Sequence, residues 1–453
     1  QKKLEDIPTP KQLKAYLDKF IIGQEKCKKI MSVAVYNHYI RMNDSLVRGL
    51  EHEYAEARAS KLAVKKQLLG AQLLQDTAAN FSLDAKDLEK EEELPELEKS
   101  NIMLIGPSGS GKTLIAKTLA KVLKVPIVIQ DCTSLTQAGY VGEDIESCVE
   151  KLFERSDFDV SQCERGIIVL DELDKLSKPS ANLGVKDISG EGVQQGLLKL
   201  IEGTNVTVQP KKHTNKSQVT SSKNKEESST IDTSNILFIT MGAFVGLDNI
   251  IAARVESSTN VQEAVTTNPM KKRDHSKQIR EVKLPDGSTV SSFELVTSED
   301  LVSFGLIPEF IGRIPVIASL QALTESDLEK ILTEPRNSII KQYEYLFSRI
   351  GVRLAITKEA IKLIASASIN SGTGARGLRT MLEKLLLSAN YDCPGSGISF
   401  VLVDKDTVQR YIEKGNAAGV VNAKYHGRGD VYKFLTQLHN EDPELAKKVE
   451  QEL

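Results

Sequence analysis

The octapeptide Gly106-Pro107-Ser108-Gly109-Ser110-Gly111-Lys112-Thr113 directly follows the apolar run NIMLI and opens the helix-like stretch TLIAKTLAKVL. Strand, glycine loop and helix in that order make backbone N–H groups converge at the positive end of the helix, where they cradle phosphates. Lys112 then reaches the β and γ phosphates, and the Thr113 hydroxyl ligates magnesium. ATP and Mg2+ are the expected cofactors, and Leu114 in the first helical turn completes the nucleotide-binding set. The loop must sit at the carboxyl end of a buried strand, so all-α and all-β folds are excluded.

A second element, GIIVLDELDKL, delivers Asp171 and Glu172 to the end of another apolar strand, Gly166 to Leu170. Ligands of parallel sheets bind at such ends. Asp171 is expected to hold magnesium, largely through water, and Glu172 to orient and deprotonate the attacking water. A solvated acid pair is the alternative, and the upstream phosphate loop favours the catalytic reading. The run PIVIQD between the two elements implies the ATPase branch in which a further strand separates phosphate loop from acidic strand.

From about Ile102 to Pro315, the runs NIMLI, PIVIQ, GIIVL and NILFIT alternate with amphipathic stretches. This pattern reads as a parallel sheet with helices on both faces, an α/β fold spanning residues 1–315. Leu13 to Tyr39 is helical but broken at IIGQ. Leu46 to Leu97 is charged and reads as a helical hairpin or mobile insertion, while Lys211–Thr233 and Glu256–Ser292 read as polar surface loops. A smaller, mostly helical α+β domain is expected over 316–414, with VRLAI and ISFVLV as its strands. A polar tail is expected over 415–453.

A chain of 453 residues exceeds one ordinary core. No stretch of about 18 uninterrupted apolar residues is present to span a bilayer. With 59 basic against 62 acidic residues, no overall positive field argues for nucleic acid. The five cysteines never take a CxxC spacing, which disfavours disulfide and zinc frameworks and points to a reducing compartment.

Four further features attract notice. Thr240, in NILFITMGAF, is a candidate γ-phosphate sensor, although threonine in a strand usually just packs. Arg313 in GLIPEFIGRIPV and Arg376 in GTGARGLR could each stabilise charge on a transferred phosphoryl group. By spacing alone, each reads more readily as a surface salt bridge. Tyr140 and Val141 lie between two glycines in SLTQAGYVGED, where exposed apolar side chains are unfavourable unless they grip something; from the residues alone, an aromatic buried under its loop is the plainer reading.

Together, FIIGQEKCKKIMSVAVYNHY, GPSGSGKT, LTQAGYVGEDIES, VLDELDKL, DISGEGVQQGLLKLIEGT, FGLIPEFIGRIPV and TGARGLR resemble the ClpX family of AAA+ protein unfoldases, in family order from about Leu17 to Tyr391. The resemblance implies a homohexamer with ATP between subunits and the small domain as a lever. It implies that Ile21 and Ile22 contact adenine, that Arg313 is a finger acting on a neighbour's ATP, and that Arg376 is a second nucleotide sensor. It further implies that Tyr140 and Val141 form a pore loop that moves polypeptide, that Lys178–Ser189 forms a second one, and that Lys211-Lys212-His213 stands where bacterial members carry Arg-Lys-His.

Two departures bear on partners. No cysteine pair precedes Leu13, where the family's zinc-binding domain would lie, and no IGF-type tripeptide for docking the ClpP peptidase occurs between Ile251 and Gly305. With the inserted segment Leu46 to Leu97, these departures make the resemblance closest to a mitochondrial, fungal-type member of the matrix or its inner-membrane surface, with any transit peptide outside this chain. ClpP docking is not expected. The implied client is 5-aminolevulinate synthase, opened for pyridoxal phosphate in heme biosynthesis. The alternatives are the ATPase subunit of a ClpXP-type protease and, from another class, a AAA+ motor remodelling nucleic acid.

Overall fold

Five short apolar segments align as one parallel sheet: β1 (Ile102–Ile105), β2 (Ile127–Asp131), β3 (Ile167–Asp171), β4 (Leu237–Gly242) and β5 (Val316–Ser319), in the order β5-β1-β4-β3-β2. The structure, a computed structural model, describes residues 7–69, 97–136, 143–177, 188–208, 228–258, 279–283, 287–414 and 422–452. Every residue of β1 and β4 is buried, as expected of strands covered on both faces, whereas β2 at the edge alternates. β4 lies between β1 and β3, so a strand does separate the phosphate loop from the acidic strand end. PIVIQD, which precedes the acidic strand in sequence, forms the edge instead.

Side chains alternate between two cores. Ile102, Leu104, Ile167, Val169, Leu237 and Ile239 pack against Leu13 and Leu17 of α1 (Pro10–Asp18), Met31 and Val35 of α2 (Glu25–Leu69), and Ile115 and Leu119 of α3 (Lys112–Leu123). Met103, Ile105, Ile168, Leu170 and Phe238 meet the opposite layer, which includes Leu152, Ile251, Phe310 and Leu197 of α4 (Ile188–Glu202). Each of these fully buried aliphatic or aromatic side chains contributes about 1.5–3 kcal/mol relative to exposure.

α1 starts on a Thr9–Gln12 capping box, and the helical run breaks at IIGQ, where Gly23 and Gln24 both take left-handed backbone angles. α2 then runs unbroken for 45 residues into the charged segment expected as an insertion, of which 70–96 lie outside the described residues. The two polar runs expected as loops end in strands: Asn205–Val208 pairs antiparallel with Ser229–Asp232, and Glu281–Lys283 with Thr289–Ser291. The remainder of those runs, 209–227, 259–278 and 284–286, falls outside the described residues.

Two expectations about the second half need correction. The boundary expected at 316 falls after β5 instead, because Val316–Ser319 pairs in parallel with Ile102–Ile105 and finishes the large sheet. The expected tail is also part of the fold. In the smaller body β6 (Arg353–Ile356), β7 (Ile398–Val403) and β8 (Lys424–Gly427) form a sheet whose last strand comes from beyond residue 414. α5 (Ala375–Asp392) covers one face with other helices. The other face buries Ala355, Phe400 and Leu402 under Phe434 and Leu438 of α6 (Val431–Glu441) and Ala446 and Val449 of α7 (Pro443–Glu452). Phe400 and Phe434 stack with centroids 4.8 Å apart. Without α6 and α7 that face of the sheet would be wet, which is why a segment polar in composition folds back.

Candidate active site

The phosphate loop follows β1 because Gly106 N donates to the Gly242 carbonyl at the end of β4 (3.3 Å), while Ile105 O accepts from Leu320 N beyond β5 (2.7 Å). Two neighbouring strands thus fix where the loop leaves the sheet. Gly109 (φ 79°) and Gly111 (φ 103°) take left-handed backbone conformations that side chains rarely tolerate, which curls the loop over the amino end of α3.

Lys112 is the electrostatic centre. Its ammonium donates to the carbonyls of Gly106 (2.5 Å) and Pro107 (2.9 Å). Burial pushes its pKa down to about 8; the negative charges of Asp171 and Asp174 oppose that shift, and the guanidinium of Arg376 adds to it. A half-buried ammonium bonded only to carbonyls, beside a second cation and a helix amino terminus, fits a polyphosphate.

Asp171 and Glu172 stand at the end of β3, and Asp171 Oδ1 accepts from the Glu172 backbone N–H (2.9 Å). Glu172 is exposed with φ 56° and ψ 34°. A left-handed glutamate costs roughly 1–2 kcal/mol, and such strain concentrates at functional sites. The Thr113 hydroxyl is directed at Met241 Sδ (3.8 Å), the residue after Thr240, whose strand partner is Leu170. Thr113 and Asp171 therefore face the same strand ends, a donor set of hydroxyl and carboxylate oxygens that suits Mg2+.

The smaller body reaches this loop. A Cβ on Gly109 would lie 3.2 Å from the Thr373 carbonyl and 3.4 Å from Ala375 N, so the start of α5 rests against the phosphate loop. Arg376, exposed in the first turn of α5, is close enough to Lys112 to act on its charge. The IIGQ turn adjoins the same region, since Gln24 bonds both the N–H and the carbonyl of Gln321 at 2.9 Å, one residue beyond Leu320. Ile21 there is buried, and Ile22 is half-buried.

Other expected residues lie elsewhere. Thr240 does not reach the phosphate loop: it is fully buried, and its hydroxyl donates to Ile102 O (3.3 Å) at the start of β1. It packs and bonds inside the sheet, two residues short of Gly242. Arg313 lies at the other end of β1, where its carbonyl accepts from Asn101 Nδ2 (2.9 Å). At ~3.3 Å per residue, about 16 to 17 Å of strand separates Asn101 from Gly106. The Arg313 backbone therefore stands a strand's length from the phosphate loop of its own chain. Tyr140 and Val141 lie outside the described residues, between short strands Leu135–Thr136 and Glu143–Asp144 that pair in parallel. Most of Lys178–Ser189, and all of Lys211 to His213, also lie outside them.

Sequence reasoning missed Asp174. It is buried, its Oδ2 accepts from Phe244 N (3.2 Å), and its charge acts on Lys112. It ties the turn after β3 to the turn after β4. Its signal was only a third acid in DELD, with nothing local to name its partner.

Comparison with known proteins agrees with this construction. A family model described as AAA domain (Cdc48 subfamily) matches residues 97–317, and one described as the C-terminal, D2-small domain of ClpB protein matches 323–392. The chain is 46% identical over 482 residues to the mitochondrial ATP-dependent clpX-like chaperone of Saccharomyces cerevisiae, covering 100% of this chain and 91% of that protein. It is 41% identical over 407 residues to the ATP-dependent Clp protease ATP-binding subunit ClpX of Treponema denticola, covering 89% and 81% respectively. The corresponding subunit of Borrelia duttonii is 43% identical over 407 residues, covering 89% and 79%.

Proposed function

Given that the chain belongs to the ClpX family of AAA+ ATPases and hydrolyses ATP, we propose that it works as a homohexameric unfoldase that draws polypeptide through a central pore. The observation that carries this reading is the split of the site. Lys112, Asp171 and Glu172 come from the large body, Thr373–Ala375 and Arg376 come from the small one, and Arg313 stands about a strand's length away. A second copy must supply the missing guanidinium, and the small body must move if the nucleotide at the loop changes.

In this reading backbone N–H groups of the loop between Ser108 and Thr113 and the Lys112 ammonium bind the phosphates, with Leu114, Ile21 and Ile22 against the rest of the nucleotide. Thr113 and Asp171 would hold Mg2+, which supplies charge neutralisation between the phosphates. Glu172 accepts a proton from the attacking water. A neighbour's Arg313 stabilises charge on the transferred phosphoryl group, and Arg376 transmits the state of that group to α5. Tyr140 and Val141 grip the substrate.

The mitochondrial relative supports a matrix location and a chaperone role. The client proposed is 5-aminolevulinate synthase, opened for pyridoxal phosphate. Mixing the apo-synthase with cofactor and this protein tests it: holoenzyme should form faster with ATP and not with a non-hydrolysable analogue, and equal rates would refute the client. The bacterial relatives' names favour a second reading, a protease ATPase. Absence of an IGF-type tripeptide between Ile251 and Gly305 argues against it. ATP-dependent degradation on adding a ClpP peptidase would overturn the independent reading.

A further inference from the structure

Arg313 is held from two sides by residues to which nothing above gives a role. Its Nε donates to Glu202 Oε1 at 2.9 Å, and its carbonyl accepts from Asn101 Nδ2. Asn101 is buried and its Oδ1 accepts from Phe238 N (3.3 Å), so the arginine backbone is tied to two central strands. Glu202 is the last residue of α4, and that helix end is clamped in turn. Lys99 Nζ donates to the carbonyls of Ile201 (3.1 Å) and Thr233 (3.0 Å), while Thr233 Oγ1 donates to Leu200 O (2.9 Å).

The geometry of the pair matters more than its strength. The two side chains are 59% and 42% exposed, and such surface pairs add little to stability. Bonding through Nε, however, leaves both terminal Nη groups of the planar fork for an incoming acceptor, in a fixed plane. An arginine without that anchor would sample many rotamers and meet a phosphoryl group in the right orientation only part of the time.

We propose that Glu202 is a positioning residue for Arg313, holding the guanidinium by Nε so that its Nη fork faces the ATP of the neighbouring subunit. The proposal rests on the reading of Arg313 as a finger acting between subunits. Glu202 touches neither nucleotide nor water and acts only through the arginine.

The test compares wild type with Glu202→Ala, Glu202→Gln, Arg313→Ala and the Glu202→Ala/Arg313→Ala double variant in the assembled protein. Steady-state ATP hydrolysis, binding of a fluorescent ADP, sedimentation and thermal midpoint are read for each. Arg313→Ala should lower kcat by about a hundredfold or more. Glu202→Ala should lower kcat roughly five- to twentyfold with KM, ADP binding, assembly and midpoint unchanged. Glu202→Gln, which keeps an acceptor for Nε, should lose less, and the double variant should be no slower than Arg313→Ala alone. Unchanged kcat in Glu202→Ala, a loss that multiplies in the double variant, or a loss matched by weaker assembly would each overturn the positioning role. Wild-type kcat in Arg313→Ala would instead remove the finger reading itself, and the positioning role with it.

Discussion

Nucleotide binding should take up a proton, because Lys112 is held near pKa 8 in the unliganded loop by burial and by Arg376. Phosphate oxygens at Lys112 favour its charged form, so binding raises this pKa and the complex carries a proton that the free protein partly lacks. The sign follows: affinity is full below about pH 8 and falls as pH rises above it. With a free-state pKa near 8, raised strongly by bound phosphate, the apparent Kd should weaken up to roughly tenfold between pH 7 and pH 9, and uptake at pH 8 should approach half a proton. The nucleotide's last phosphate ionisation, near pH 6, does not interfere in that range. Calorimetry of ATP binding to Glu172→Gln, run in two buffers of different ionisation enthalpy, reads both quantities. Lys112→Met should abolish the uptake, and Arg376→Ala should reduce it at pH 8 because Lys112 then starts more fully charged. Zero uptake at pH 8 with equal affinity at pH 7 and pH 9 would refute the electrostatic account of the loop.

Glu172→Gln should retain ATP while hydrolysis falls by about a hundredfold or more, read as bound nucleotide against phosphate release. Mixing Glu172→Gln subunits with Arg313→Ala subunits should restore hydrolysis above that of either alone, since a mixed junction in one of its two orientations pairs an intact finger with an intact Glu172. No gain on mixing would argue against a shared site. Phe434→Ala, which empties a fully buried ring stacked on Phe400, should destabilise the smaller body by about 3–5 kcal/mol in thermal unfolding. Unchanged stability would restore the reading of that segment as a tail.

The large sheet was legible because four of its strands are continuous apolar runs, and the loop because its glycines and Lys112 carry their chemistry in one stretch. β5 was misassigned since Val316–Ser319 is an edge strand of four residues, and its pairing with β1 is set by contacts more than 200 residues apart. α6 and α7 were lost in polar composition, because their few apolar residues face a sheet that no local pattern reveals. Thr240 sat at the right strand but at the wrong depth, and only the register with Met103 shows it. Asp174 and Glu202 act through partners distant in sequence, Phe244 and Arg313, so nothing local marks them.

The central claim is that turnover at this split site pulls polypeptide through a pore by way of Tyr140. It is tested most directly by following the unfolding of a stable, tailed fluorescent protein together with ATP consumption in the same sample. The account predicts loss of native fluorescence with ATP, none with Glu172→Gln, and continued ATP consumption with unfolding slowed at least tenfold in Tyr140→Ala. Unfolding at the wild-type rate in Tyr140→Ala, or in Glu172→Gln, would contradict it.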